Sequence, residues 1–286
     1  MRSGGFSVFW KVFYICYVKS YNLVKSFTQE QQAMKITTRN LALVAIFAAL
    51  YYVLSLVAPI NIPTGVGNLE ISFAALIAAV IGLVLGPYLG TASALLGASI
   101  AWVLPPSGGN LFGLPFLLAP ALNALVTGLI FYKKWQFGFA IFGVLIVSFL
   151  FTPPIWPLTE NWLVAAAVLF DKIFALALIL PVALFAKQLS FAKASLFYFL
   201  LFFIGNQADN MWGSFIFATP AVYGLFGYSV PAVRIAFLAS PFLYPAVRLI
   251  QAFIGMAIAV PLMQALKGTP WLWPKETIIS RNQNKQ

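Results

Sequence analysis

The feature that most constrains this chain is a succession of eight long apolar runs separated by short loops. Their approximate limits are 41–58, 71–86, 88–104, 111–132, 137–151, 162–186, 195–217 and 242–266. A membrane-spanning helix needs about 20 mostly apolar residues, within a range of about 17–25. Most of the runs meet that length; the second and fifth are short, so each is tilted or incomplete at its ends. The runs cannot all be the interior of a water-soluble domain. Only 8% of the chain is charged and 62% is hydrophobic, where soluble domains carry roughly 25% charged residues. Too few charges remain to cover a water-facing surface, whereas lipid tails accept an apolar one. Spanning strands do not fit either, because a membrane barrel alternates polar and apolar residues and these runs are apolar on all sides. The expected fold class is an all-α, polytopic transmembrane bundle of about eight helices in the cell membrane.

The loops give orientation. Lys35 and Arg39 precede the first run, Lys133 and Lys134 follow the fourth, Lys187 and Lys193 follow the sixth, and Lys267, Lys275, Arg281 and Lys285 close the chain. The loops 59–70, 105–110 and 152–161 contain no Lys or Arg, and 218–241 holds only Arg234. Basic residues thus fall in alternate loops, which predicts that both termini are cytoplasmic. The net charge of +11 is spread over these loops and the two tails and forms no single stripe, so nucleic acid is not an expected partner. The chain has one cysteine, Cys16, and no histidine. That excludes a disulfide within the chain, a zinc site of His and Cys and an imidazole base. No catalytic residue, metal site or cofactor is expected, and the chain is not read as an enzyme.

Three regions follow. Residues 34–268 form the transmembrane domain, and 269–286 a cytoplasmic tail. Residues 1–33 stand apart: Phe6–Val18 is apolar but too short to span, and Met34-Lys35 opens a stretch resembling a natural start. The extension is either an interfacial helix or an upstream mis-start.

The first run places Ala45 and Ala49 four residues apart, with Ala42 and Ala48 beside them, a small-residue face that lets another helix approach closely in lipid. A loop with Pro59, Pro63, Gly65 and Gly67 follows, then Leu69-Glu-Ile-Ser-Phe73, an alanine-rich segment, Leu85-Gly-Pro87, and a run through Gly90, Ala94 and Gly97. Later comes Gly205-Asn-Gln-Ala-Asp209-Asn-Met-Trp-Gly213-Ser. In this order the chain resembles the substrate-binding (S) component of energy-coupling factor (ECF) transporters, best over 35–105 and again over 195–266. The resemblance implies a membrane-embedded subunit that captures a vitamin or other small micronutrient. Its implied partners are a transmembrane coupling protein, docked on Ala45 and Ala49, and two ATPases that drive uptake. The sequence itself has no G-x-x-x-x-G-K-[ST] phosphate loop. Members of that family typically have six spanning helices, against the eight counted here.

Candidate substrate-binding residues are those whose polarity needs a partner at membrane depth. Asp209 lies among Asn206, Asn210 and Trp212 in the seventh run, where polar groups must be satisfied internally. Glu70 and Asn68 sit in the loop before the second run. Trp102 and Asn110 flank the 105–110 loop, offering a stacking face and an uncharged donor and acceptor. The pocket is expected at the outer end, closed by loops 59–70 and 105–111. Asp171 and Lys172 point about 100° apart on a helix, so separate ion pairs are expected, such as Asp171 with Arg248. Trp156, Trp162 and Tyr228 read as interfacial belt residues. Two other readings remain: a stand-alone ion-coupled secondary transporter, with Asp171, Lys172 and Asp209 as coupling groups, and an intramembrane aspartyl enzyme. The Gly-x-Gly-Asp context of the latter is absent at both aspartates.

Overall fold

A computed structural model describes residues 37–57, 60–64, 67–71, 73–185, 191–239, 241, 243–266 and 269. The extension over 1–33 and the tail beyond Thr269 lie outside the described residues. Contacts divide the chain between Leu41 and Ala42; the described part of the first unit is the opening turn of the first helix.

The described residues form an all-α bundle with one small β-hairpin. Helix α1 spans Thr38–Ser55. Strands β1 (Ile60–Thr64) and β2 (Gly67–Ile71) pair antiparallel, with Ile60 opposite Ile71 and Pro63 opposite Asn68. Then come α2 (Phe73–Val103), α3 (Leu118–Phe131), α4 (Trp135–Leu150), α5 (Leu158–Phe185) and α6 (Phe191–Phe217). Two short helices, α7 (Pro220–Leu225) and α8 (Val230–Leu238), precede α9 (Leu243–Leu266). Five of the described helical stretches are long and apolar enough to cross a membrane, and α4 is a shorter apolar helix.

Helix α2 is two antiparallel arms rather than one rod. Gly86 has φ 80° and ψ 176°, a conformation open to glycine and strained for other residues, and Pro87 cannot continue the helix before it. The arms then close on each other: a Cβ placed on Gly90 would lie 2.8 Å from the Gly82 Cα. Helix α3 packs into the same corner, since a Cβ on Gly128 would lie 2.7 Å from the Pro87 Cα. Glycine at 82, 90 and 128 is what allows three backbones to meet there. The two arms recover the second and third apolar runs, so all eight runs are helical.

Contacts sort the connections by end. The turn at Gly86 sits with the α3–α4 turn: the Tyr132 hydroxyl donates to the Leu83 carbonyl at 3.0 Å and Lys134 Nζ reaches the Tyr88 hydroxyl at 3.4 Å. The opposite end gathers the connections around 104–117, 151–157 and 218–239. There the Tyr52 hydroxyl donates to Pro105 O at 3.2 Å, Trp212 Nε1 to Pro115 O at 3.0 Å, and Arg234 Nε to Pro154 O at 2.9 Å.

Helix α6 is the centre of the bundle. Every residue from Leu201 to Met211 is buried, against α3, α5 and α9. Large apolar side chains on the other helices point outward instead, among them Val144, Phe174, Leu184 and Phe253, each more than half exposed. This inversion, with polar groups inside and apolar groups outside, is what a lipid solvent selects.

Candidate functional site

Helical spacing assembles the site. Asp209, Gly213 and Phe217 recur every four residues on α6, with Asn210 and Ser214 beside them, so they share one face. Helix α5 contributes Ala167, Val168, Asp171 and Lys172 by the same rule, and α9 contributes Tyr244, Pro245 and Arg248. These faces, with Phe116 at the end of a 3₁₀ turn (Leu114–Phe116), Ala119 of α3 and Phe237 of α8, line a cavity of about 450 Å³. It lies toward the end that carries the 104–117 and 218–241 connections.

Aromatic rings form its upper wall. Phe226 lies 5.9 Å from Phe217, 6.4 Å from Phe116 and 5.0 Å from Phe112, and stacks on Tyr228 at 6.5 Å. Phe217 also meets Phe237 edge-on at 5.9 Å. Such offset and edge-on pairs fix ring positions.

The floor is charged. Lys172 Nζ lies 3.0 Å from Asp171 Oδ1, with both side chains only 4% exposed. Arg248 Nη2 lies 3.6 Å from Asp209 Oδ1, and Arg248 Nη1 donates to Gln251 Oε1 at 2.9 Å. The expected pairing of Asp171 with Arg248 is therefore corrected. Adjacent side chains do start about 100° apart, but the four-carbon stem of lysine brings Nζ back to its neighbour, and Arg248 is left for Asp209. Asn123 of α3 is buried in the bundle interior. It donates to Asn206 Oδ1 at 3.0 Å and accepts from the Thr127 hydroxyl at 3.3 Å. Gly205 admits this network, because a side chain there would overlap Thr127 and Asn123.

Several buried polar atoms have no protein partner: Asp171 Oδ2, Asn210 Nδ2 and Arg248 Nε, on residues that line the cavity but turned away from it, and Asn206 Nδ2 and both Gln207 side-chain atoms on α6. Unmet groups of this kind are costly, and they cluster where α6 meets α5 and α9.

Of the residues singled out from sequence, Asp209 and Asn210 line this cavity. Asn206 lies behind it in the Asn123 network. Trp212 faces Pro115 instead, and its ring is 6.0 Å from Phe215. Trp102 Nε1 donates to Asn110 O at 2.6 Å, and Asn110 Oδ1 accepts from Gly113 N at 2.7 Å. That pair staples the 105–113 loop and lies outside the cavity wall. Asn68 and Glu70 are on β2, opposite Pro63 and Asn61; their side chains lie outside the described residues. Ala45 and Ala49 are exposed on α1, while Ala48 between them is buried. Sequence reasoning missed Phe116, Phe217, Phe226, Phe237 and Tyr244 as cavity residues. The four-residue recurrence of Asp209, Gly213 and Phe217 was a usable signal for Phe217; nothing local marks the others.

A family model described as "ECF-type riboflavin transporter, S component" matches residues 35–177, half of the chain. The chain belongs to the ECF transporter S components. Neither a curated protein nor a solved structure matches it. As an S component it is a multi-pass membrane protein of vitamin uptake, a substrate-binding subunit rather than a member of an enzyme family. The match covers Phe116, Ala119 and the α5 face of the cavity; Asp209, Phe226 and Arg248 lie beyond it.

Proposed function

We propose that this S component captures riboflavin, or a close flavin relative, in the α5–α6–α9 cavity and presents it to an ECF coupling protein and two ATPases for import. The observation that carries the reading is the cavity itself, considered with the family match. It pairs aromatic walls with a few convergent polar groups, and at about 450 Å³ it is within the ~300–1,000 Å³ of small-molecule sites. A flavin needs both features, having a flat heteroaromatic ring system, a polar ring edge and a hydroxylated chain. Titrating purified protein into riboflavin and following flavin fluorescence tests this. Saturable quenching at one flavin per chain is expected. A monodisperse preparation that leaves the fluorescence unchanged overturns the assignment.

The orientation follows the charges. Lys133 and Lys134 lie at the Gly86 end, and among the described loops of the cavity end Arg234 is the basic residue. This supports an outward-facing cavity with both termini cytoplasmic. In a Cys16→Ala background, Ser107→Cys should react with an impermeant thiol reagent on intact cells. Labelling that requires opened cells reverses the topology.

A further inference from the structure

The charges of the cavity wall balance. Among the described residues that line it, the charged ones are Asp171, Lys172, Asp209 and Arg248. Two acids and two bases sum to zero, in a chain that has 17 basic residues against 6 acidic ones, so the balance is local and does not follow from composition. Each base is engaged by an acid of the same wall: Lys172 Nζ lies 3.0 Å from Asp171 Oδ1, and Arg248 Nη2 lies 3.6 Å from Asp209 Oδ1. Asp171, Lys172 and Asp209 are buried, so salt and water screen them poorly and their charges act across the cavity. Among these residues no cation is left over to hold an anionic ligand, and no carboxylate to hold a cationic one.

We propose that the two pairs act as a charge filter: the cavity takes flavins that carry no net charge and turns away their phosphate esters. A phosphate monoester brings a charge of about −1.5 to −2 at neutral pH, and a charge taken out of water without a counterion is costly. A sphere of about 450 Å³ is roughly 10 Å across, and at that distance and an effective dielectric of about 20 one unit of charge changes an affinity by roughly tenfold. Asp209 sets the balance. Asp209→Asn keeps the side chain's shape, leaves Arg248 its bond to Gln251 at 2.9 Å and gives the wall one positive charge in excess. The inference rests on the flavin reading of this cavity and adds which flavins it accepts and which residue decides.

The experiment titrates the purified protein with riboflavin, with its 5′-phosphate and with its 5′-acetate, an uncharged ester of the same hydroxyl. The phosphate should bind at least about tenfold more weakly than either uncharged flavin. In Asp209→Asn the phosphate should gain on the acetate by roughly tenfold. Lost packing weakens both esters alike and does not move their ratio. A phosphate that binds the unaltered protein as tightly as riboflavin overturns the inference. So does an acetate as weak as the phosphate, which assigns the exclusion to bulk, and so does an ester ratio unmoved in Asp209→Asn. The comparison in the unaltered protein stands whether or not the variant folds. Binding of none of the three overturns the flavin reading itself, which separates that failure from this one.

Discussion

Ala45→Trp and Ala49→Trp should reduce ATP-driven uptake to background while leaving ligand affinity of the isolated subunit unchanged. The structure gives α1 two seams of small residues, one covered and one exposed. One is used within the chain. Ala48 is buried, a Cβ on Gly97 would lie 3.0 Å from the Ala48 carbonyl, and the Ser93 hydroxyl donates to the Val44 carbonyl at 2.9 Å. The other, through Ala42, Ala45 and Ala49, is exposed among the described residues. Association of helices in lipid depends on close packing, and an indole at either alanine would hold a docked helix away. Overpacking of this kind costs about 1–3 kcal/mol, roughly 5- to 150-fold in a docking constant, before the loss of correct geometry for coupling is added. No α1 residue lines the cavity, so flavin binding is the internal control. A pull-down with the coupling protein beside a flavin titration decides the matter. A tryptophan variant that still assembles, or that loses folding and ligand together, removes α1 from the docking role.

The second large effect concerns the buried ion pair on the cavity floor. Arg248→Met leaves the Asp209 carboxylate, 8% exposed, without its cation. Breaking a buried pair by removing one partner costs about 3–5 kcal/mol, whereas replacing both partners by apolar residues is often neutral. The single variant should therefore unfold at a midpoint lower by on the order of 10 °C in detergent. The double variant Arg248→Met/Asp209→Leu should recover most of that loss and still fail to bind flavin. Recovery without binding would show that the pair is kept for the ligand rather than for stability. A single variant as stable as the parent would mean that the 3.6 Å contact contributes little to folding.

The legibility of this protein in its sequence was uneven, for physical reasons. All eight apolar runs are helices, because in lipid a long apolar run has no other way to satisfy its backbone. The Gly86–Pro87 reversal was legible too, since that dipeptide leaves few backbone choices. Helix α6 was legible as the run 195–217 even though Asn206, Gln207, Asp209 and Asn210 are too polar for a lipid-facing span; they are tolerated because other helices surround them. The β-hairpin of 60–71 was read as irregular loop, its Pro63 and Gly67 masking the pairing, and α7 and α8 were likewise read as part of a long loop. In the site, Asp209 and Asn210 announced themselves as charge and amide at membrane depth. Phe226 could not, because an aromatic in a long loop has an ordinary interfacial reading, and Arg248 was read as a partner for Asp171 where the fold pairs it with Asp209 of α6. The Asp171–Lys172 pair shows the limit of helical-wheel geometry, which predicts where a side chain starts and not where a long one finishes.

The doubling back at Gly86 has a consequence for how the protein meets its bilayer. The first arm of α2, Phe73 to Leu85, has 13 residues before the turn, which amounts to about 20 Å of helix against a hydrocarbon thickness of about 30 Å. A helix that short facing the acyl chains would oblige the membrane to thin around it. It does not face them: residues 76–87 are all buried, shielded by the returning arm and by α3. Hydrophobic matching therefore does not apply to this arm, and its length is set by the glycine corner where the three backbones meet.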